Sequence, residues 1–204
     1  MKNLSIFCAD VGSIKAKNFG WAATLSNGQE ETGDDITIFS KRIAEEIKKG
    51  SKVAIGFECP LFVPMRNDHF KVNSARAGEG NRSWSAGAGT GALATGLVEV
   101  LWVMNSLNKL LSVTPKSEFN WDKFKNNNSI FLWEAFVTSK AKGTGHSEDA
   151  LIAVKIFKKA LPDLWSKNAI QEEHVLSLVG AAALRAGWSE NIGVLSEQCL
   201  VLKA

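Results

Sequence analysis

Runs of apolar residues that favour β-strands, separated by glycine turns, occupy the start of the chain. The first run, Leu4–Asp10, is followed by a Gly12-Ser13 turn and by a second run at Gly20–Ser26. An Asn27-Gly28 pair, which is a strong hairpin signal, then leads into a short third segment at Gln29–Thr32. This pattern predicts a meander of three strands at the beginning of the fold.

The period of the pattern changes after the third strand. Asp34 or Asp35 can cap a helix that ends at Lys48-Lys49-Gly50. A continuous apolar run, Val53–Phe57, follows; it is typical of a strand covered on both faces, and a nearby proline ends it, so Glu58 is expected at the strand's end. The buried face of the helix is predicted to carry four residues at helical spacing: Ile36, Phe39, Ile43 and Ile47.

Helices and strands alternate again in the rest of the chain. The segment from about 60 to 89 is irregular and is predicted to be a long, functional loop. The pattern beyond it predicts a helix at about 90–111, a polar connection at 114–128, a strand at 129–137, a loop at 140–145, helices at about 147–161 and 171–186, and an edge strand near 193–202. The order β-β-β-α-β-(loop-α)-β-α-α indicates an α/β fold in which helices flank a mixed β-sheet.

Length and composition set bounds on this prediction. The chain has 204 residues, of which 45% are hydrophobic and 22% charged, as is ordinary for a globular protein. This length suffices for one domain, 1–204, that carries the loop at about 60–89 as an insertion. The net charge of +3 is too small to indicate nucleic-acid binding by itself, although it does not oppose a polyanionic substrate.

The sequence favours a cytoplasmic location. Cys8, Cys59 and Cys199 show neither zinc-site spacing nor a disulfide framework, and no signal-peptide pattern precedes the first strand. The longest apolar stretch, near Leu93–Leu111, is interrupted by polar residues, and we expect it to be a buried helix and not a membrane span. Long apolar helices and several tryptophans would allow a homodimer.

Acidic residues recur in or beside the predicted strands. Asp10 and Glu58 end two strands, Glu134 lies inside a third, and Glu172 and Glu173 fall in the first turn of the last predicted helix. If the strands are neighbours, three carboxylates meet at one edge of the sheet, where they would hold protons unless a cation neutralises them. Mg²⁺ or Mn²⁺ prefers such oxygen ligands, and two ions about 4 Å apart can promote phosphodiester cleavage.

Each of these acids also has a structural interpretation. Asp10 could cap the turn that follows it, as aspartate often does. Glu58 could bond free backbone groups at the strand end, and Glu134 could point outward from an edge strand. Glu172 and Glu173 could merely complement the dipole of the predicted helix. The coincidence of three strand acids favours the functional interpretation.

Three further features are relevant to the candidate chemistry. His146, Glu148 and Asp149 form a conspicuous group, but a serine followed by two acids is first of all a helix N-terminus, and we prefer that interpretation. Trp84 could stack on a base. The segment Gly87–Gly91 opens the long helix and could accept a phosphate on its free amides, although it lacks the lysine of a nucleotide-binding P-loop.

Several segments, taken in order, resemble the RNase H-like superfamily. The stretch Asp10-Val11-Gly12-Ser13, followed by Gly20-Trp21-Ala22, resembles its first hairpin, and Val53–Leu61 resembles its strand-four acid. More narrowly, the chain is similar to a bacterial and archaeal family of predicted RNase H-like nucleases, a domain-of-unknown-function group. The later segments that carry this similarity are Trp133-Glu134-Ala135-Phe136, Lys140-Ala141-Lys142-Gly143, and Glu172-Glu173-His174 running into Gly180-Ala181-Ala182-Ala183.

The resemblance implies a metal-dependent nuclease that hydrolyses nucleic acid. Two groups of residues would carry this activity. The catalytic and metal-binding residues would be Asp10, Glu58, Glu134 and Glu173, and the residues that contact the phosphate backbone would be Lys140, Lys142, Arg66, Arg76 and Arg82.

The chain departs from the family pattern at two positions. Members usually have Asp where Glu58 stands and another Asp near Ser177, so the last ligand stays open among Glu172, Glu173 and His174. These departures motivate the alternative of a non-catalytic binding or regulatory domain with a degenerate site. An actin-like phosphotransferase, which shares the Asp-x-Gly hairpin, is disfavoured because the chain is too short for two lobes.

Overall fold

The computed structural model describes residues 3–138 and 141–204 of the chain. Within these residues the chain forms, in order, β1 (Leu4–Asp10), β2 (Gly20–Thr24), β3 (Glu30–Gly33), α1 (Ile36–Lys48), β4 (Lys52–Glu58), β5 (Phe62–Pro64), α2 (Ala88–Leu110), β6 (Ser117–Glu118), α3 (Trp121–Asn126), β7 (Ile130–Phe136), α4 (His146–Ala160), β8 (Val175–Ser177), α5 (Leu178–Ala186) and β9 (Leu200–Lys203). Short 3₁₀ turns lie at His69–Lys71, Trp165–Lys167 and Ile192–Ser196.

A mixed seven-stranded sheet, in the order β3-β2-β1-β4-β7-β6, organises the chain. Strand β2 is antiparallel to β1 and β3, whereas β1, β4 and β7 are parallel to one another. The outer edge of β7 is shared by two short parallel strands, β6 near its start and β9 along its end. Strands β5 and β8 form a separate antiparallel ribbon. The predicted α/β class is confirmed, and this sheet is compatible with an RNase H-like fold.

Helices cover both faces of the sheet and create two hydrophobic cores. Helices α1, α2 and α5 pack on one face over residues such as Phe7, Phe57 and Leu132. Helices α3 and α4 pack on the other face, where Phe131, Trp133 and Ala135 are buried. Because side chains alternate along a strand, each position of β1, β4 and β7 belongs to one core or to the other.

Local signals place most elements where the sequence predicts them. Asp35 caps α1, and its Oδ1 accepts hydrogen bonds from the backbone of Thr37 at 2.6 Å and of Ile38 at 3.1 Å. The predicted polar connection at 114–128 instead contains β6 and α3, because Asn120 caps a short helix that buries Trp121 and Phe124.

The last helix is shorter than predicted and starts later. It begins at Leu178, because Ser177 is its N-cap and the Ser177 Oγ accepts a hydrogen bond from the backbone of Gly180 at 3.1 Å. The residues before the cap, Val175–Ser177, form β8 and pair with β5. The predicted helix start at about residue 171 is therefore wrong. Residues 175–177 form a strand because they pair with β5, which lies more than a hundred residues earlier in the chain and is not visible in the local pattern.

Helix α2 is long and apolar, but only one side of it is buried. Val100, Val103 and Met104 face the core, whereas Leu97, Val98 and Trp102 are exposed. The prediction of a buried helix is thus correct for one face only. By length and composition alone the helix could cross a membrane; in the structure it packs against α1, α5 and β4.

Gly56 in β4 provides a test of how tightly the two layers pack. A Cβ built on Gly56 would lie 2.3 Å from the ring of Trp133, which is fully buried. We expect Gly56→Ala to destabilise the protein by about 1–3 kcal/mol through overpacking. The measurement is urea denaturation followed by circular dichroism, with Gly91→Ala as the control, because a Cβ at Gly91 meets nothing within 4 Å. Equal stability of the two variants would contradict the packing described here.

Candidate metal centre

Asp10 and Glu58 lie side by side at the carboxyl ends of β1 and β4. The two strands are parallel, and the register pairs Asp10 with Glu58 directly. Alternation places both side chains on the α4 face, because Cys8 in β1 and Ala54 in β4 belong to that core. Both side chains are strongly buried, with exposures of 7% for Asp10 and 10% for Glu58.

Asp149 on α4 is the third member of the group. The N-terminus of α4 rests on β2 and β3: Ser147 Oγ donates a hydrogen bond to the Gly33 carbonyl at 2.8 Å. A Cβ at Gly20 would lie 2.3 Å from the backbone nitrogen of Ser147, so only glycine permits this close approach. As a result, Asp149 is 4% exposed and its carboxylate faces the strand ends.

The three carboxylates form a compact cluster, which we call the acid cluster (Asp10, Glu58 and Asp149). One ligand oxygen from each lies within 4.8 Å of the other two. Among the described residues, Glu58 Oε2 is buried and has no hydrogen-bond partner. Burial, and then the charge of Asp10, raises the pKa of Glu58 to about 8. Burial also raises the pKa of Asp10, although His146 opposes that shift.

Two basic side chains, Lys142 and His146, contact the acid cluster. Lys142 Nζ lies 3.2 Å from Asp149 Oδ2 and 3.7 Å from Glu58 Oε1, the second distance being too long for a hydrogen bond. His146 Nδ1 lies 2.5 Å from Asp10 Oδ2. The backbone of Gly143 donates to Asp149 Oδ1 at 2.7 Å, which fixes the loop that carries Lys142. Burial lowers the pKa of Lys142, but Glu58 and Asp149 outweigh it and the net shift is upward. The predicted phosphate ligand Lys140 lies outside the described residues.

Glu134 is at the same edge of the sheet but does not join the acid cluster. Phe131, Trp133 and Ala135 of β7 face α4, so Glu134 points to the opposite face. There it accepts hydrogen bonds from Arg76 at 2.8 and 2.5 Å and from the backbone of Leu61 at 2.9 Å. The prediction that Glu134 shares a metal with Asp10 and Glu58 is wrong for this geometry, because strand alternation separates the side chains.

Arg76 is a buried structural residue in this conformation. Its side chain is 1% exposed and bridges Glu134 and Glu79, with Arg76 Nε donating to Glu79 Oε1 at 2.8 Å. Its guanidinium also lies over the ring of Phe62, with 4.7 Å between the guanidinium carbon and the ring centroid. The predicted contact of Arg76 with phosphate is therefore wrong, since its donors are used inside the protein. It anchors the long loop to the sheet.

The remaining predicted residues divide between the cleft and a distant surface. Glu173 precedes β8, its side chain is 90% exposed, and it lies 3.8 Å from His174 and outside the acid cluster, so the prediction that it completes the metal site is wrong for this geometry. Arg66 forms a bidentate pair with Glu172 at 2.6 and 2.8 Å, away from the acid cluster, which corrects its predicted role at phosphate. Arg82 lies in the same cleft as the acid cluster.

A cleft of about 630 Å³ opens over the acid cluster. One side carries Asp10, Glu58, Lys142 and His146, and the other is formed by residues of the segment 79–95, which we call the cleft wall. The buried pair of Arg76 and Glu134 also borders the cleft. The cleft wall includes Arg82, Trp84 and the first turn of α2. The long loop predicted from the sequence thus lies beside the candidate site.

Asp149 is the residue that sequence reasoning missed. It was assigned to a helix N-terminus, which is correct, but a carboxylate in a first turn can also face a neighbouring strand end. The signal that could have indicated it is the position of His146 and Asp149, three residues apart at the start of the helix that follows β7. Such a spacing puts both side chains on one face of a helix.

Substitution of Arg76 tests whether this residue stabilises the fold or contacts phosphate. We expect Arg76→Met to destabilise the protein by about 3–5 kcal/mol, because it leaves Glu134 and Glu79 buried without their counter-ion. Arg82→Met is the matched control and should leave the free energy of unfolding unchanged, since Arg82 is exposed. Both are measured by urea denaturation. Wild-type stability in Arg76→Met would contradict the anchoring role.

Glu99 on α2 makes stability depend on pH. It is 7% exposed, and burial raises its pKa from 4.5 to about 7, an effect that the backbone of Gly12 reduces. Since the folded state holds this proton more tightly, its contribution to stability falls as the pH rises from about 4.5 to 7. We expect Glu99→Gln to be more stable than wild type by about 1–3 kcal/mol at a pH above 7 and to lose that advantage near pH 4.5. Urea denaturation at the two pH values tests this, and an advantage that does not change with pH would contradict it.

Comparison with known proteins gives no match. A scan against models of protein families finds none, and neither do searches of curated proteins and of solved structures.

Proposed function

We propose that this chain is a divalent-metal-dependent nuclease that hydrolyses phosphodiester bonds in nucleic acid. The observation that carries the proposal is the acid cluster. Three carboxylates from β1, β4 and α4 bring ligand oxygens within 4.8 Å of one another, and two of them, Asp10 and Glu58, line the cleft. Mutual repulsion among the three carboxylates destabilises the folded state. A cation bound among them would offset this repulsion.

The donor set fits Mg²⁺ or Mn²⁺. All three candidate ligands are carboxylates, which suit hard divalent cations, and the described part of the cluster contains no thiolate that would favour zinc. The buried Glu58 Oε2 supplies a ligand atom that no hydrogen bond occupies. A bound cation would supply charge neutralisation at the phosphate and a water activated for in-line attack.

The residues around the acid cluster have roles that follow from their positions. Asp10, Glu58 and Asp149 would hold the cation. His146 is bound to Asp10 through Nδ1, and its side chain is 41% exposed, so its ring can exchange a proton between the cleft and Asp10. Lys142, which is 38% exposed, can place its ammonium group near a phosphate oxygen.

The choice of nucleic acid as substrate rests on two kinds of support. The ordered motifs resemble RNase H-like nucleases, and the mixed sheet is compatible with that fold. This resemblance supports the function by analogy of fold only. The cleft also carries Lys142 and Arg82, which would attract a polyanion. A cytoplasmic location agrees with such a substrate and is part of the proposal.

One observation favours a second candidate, a metal-free binding domain. Lys142 already contributes a positive charge to Asp149 and Glu58, at 3.2 and 3.7 Å. If this ammonium group is the permanent counter-ion of the cluster, the site would bind a partner without hydrolysing it. The two candidates differ in whether a divalent cation binds.

Calorimetric titration with Mn²⁺ tests the proposal. We expect saturable binding to the wild type and a loss of at least about tenfold in affinity for Asp149→Asn, which removes a ligand and its charge. Glu173→Gln is the matched control, because Glu173 lies 90% exposed outside the cluster and should not affect binding. Cleavage of labelled DNA and RNA, with and without Mn²⁺, is then compared for the same three proteins.

Two outcomes would overturn the proposal. If Mn²⁺ does not bind to the wild type, either alone or with a short oligonucleotide present, the metal-free binding domain becomes the better interpretation. If Asp149→Asn binds like the wild type while Glu173→Gln does not, the metal lies elsewhere and the acid cluster is not the site.

A further inference from the structure

The acid cluster is recessed, which limits what can reach it. The side chains of Asp10, Glu58 and Asp149 are 7%, 10% and 6% exposed. The cleft above them, at about 630 Å³, is in the size range of small-molecule sites, roughly 300–1,000 Å³. A rigid duplex has its phosphates on the outside of a wide cylinder, whereas a flexible single strand can enter a narrow groove.

Trp84 in the cleft wall is fixed by a hydrogen bond at the Nε1 edge of its ring. The indole Nε1 donates a hydrogen bond to the Ser74 carbonyl at 3.0 Å, and the backbone nitrogen of Trp84 donates to Glu79 at 3.2 Å. Next to it, Ser85 Oγ donates to the Asn73 carbonyl at 2.5 Å. The side chain is only partly buried and lines the cleft. An aromatic ring fixed in this way is a platform for stacking any base.

The first turn of α2 adds a place for a phosphate on the same side. Gly87, at a φ of 53°, is the N-cap of this 23-residue helix, and the first turn has neither a side-chain cap nor an acidic residue. The Gly89 amide donates to the Ala86 carbonyl at 3.1 Å, which leaves the other first-turn amides for a ligand. Gly87, Gly89 and Gly91 line the cleft. A Cβ at Gly89 would lie 2.1 Å from the Ser83 carbonyl oxygen, whereas a Cβ at Gly87 or Gly91 would meet nothing within 4 Å, so the backbone is open to a ligand at these two positions. Free amides at a helix N-terminus bind phosphate.

Two side chains that line the cleft have polar groups without a protein partner among the described residues. Glu58 Oε2, in a side chain that is nine-tenths buried, has no partner among the described residues and lines this same cleft. Across the cleft Arg82 is exposed, and within the described chain it forms no ion pair. An orphan carboxylate oxygen on one side and free cationic donors on the other match a ligand that brings phosphate groups together with a cation.

We infer that the cleft binds unpaired, single-stranded nucleic acid and discriminates against duplex. The base of one nucleotide stacks on Trp84, a neighbouring phosphate lies at the N-terminus of α2 and Arg82, and the phosphodiester to be cleaved lies over the acid cluster. The cleavage step rests on the proposed function, whereas the binding of the strand does not. Because the ring and the amides read no base edge, binding is independent of sequence.

The test compares binding of one oligonucleotide as a single strand and as a duplex. A short phosphorothioate strand, which resists cleavage, carries a fluorescent label, and anisotropy is measured in the presence of Mn²⁺. We expect the wild type to bind the single strand at least about tenfold more tightly than the duplex. Trp84→Ala should weaken the single strand by roughly 5- to 150-fold, the range for one stacked base, and Trp84→Phe should retain most of the affinity.

Trp102→Ala is the matched control, because Trp102 is also a partly exposed tryptophan but lies on the outer face of α2. It should bind like the wild type. The inference is overturned if the duplex binds as tightly as the single strand, or if Trp84→Ala and Trp84→Phe both bind like Trp102→Ala. Circular dichroism confirms that each variant is folded. If Trp84→Ala is not folded, Trp84→Leu, which keeps apolar bulk but has no aromatic face, replaces it and should show the same loss of affinity relative to Trp84→Phe.

The outcome is separable from that of the proposed function. Mn²⁺ binding and cleavage of a duplex, with no effect at Trp84, would leave the nuclease in place and remove this inference. Single-strand binding that depends on Trp84, without Mn²⁺ binding or cleavage, would keep the inference and remove the nuclease.

Discussion

The repulsion among Asp10, Glu58 and Asp149 is the constraint around which the candidate site is built. Three buried carboxylates lie together at this edge of the sheet. Burial, and then the charge of Asp10, raises the pKa of Glu58 to about 8, so holding the acids together has an electrostatic cost. Their neighbours reduce that cost: Lys142 supplies charge, and His146 and the backbone of Gly143 supply hydrogen bonds. What keeps the acids together is the packing of α4 on β2, where Gly20 lets the two backbones come close.

Successive side chains of a β-strand point to opposite faces of the sheet, so the two faces carry different acidic groups. Asp10 and Glu58 point toward α4 and face the cleft, while Glu134, one strand further, points to the other side and receives Arg76. The same sheet edge therefore holds an electrostatically unsatisfied group on one face and a satisfied ion pair on the other. The satisfied pair fixes the loop that forms the cleft wall, so it supports the site without belonging to it.

The sequence predicts the sheet better than it predicts the site. Strands β1, β4 and β7, the capped helix α1 and the acids at Asp10 and Glu58 follow from local signals: apolar runs, turns and a terminal proline. Glu134 was misassigned because its face depends on register with β4, which no local pattern shows. Asp149 was missed because a helix-start acid has a sufficient local explanation, and Glu173 was overvalued because the partner strand of β8 is distant in the chain.

The separation of Arg76 from the cleft wall has a consequence for how this protein can diversify. The loop is anchored to the sheet by Arg76, which is buried. Arg82 and Trp84 line the cleft and are at least partly exposed. Replacing Arg82 or Trp84 leaves Arg76 and both hydrophobic cores intact. Substitutions at these positions should therefore change the free energy of unfolding only slightly. Related chains could therefore differ widely along this segment while keeping one acid cluster, and a library confined to positions 81–84 would be a suitable starting point for selecting new ligand preferences.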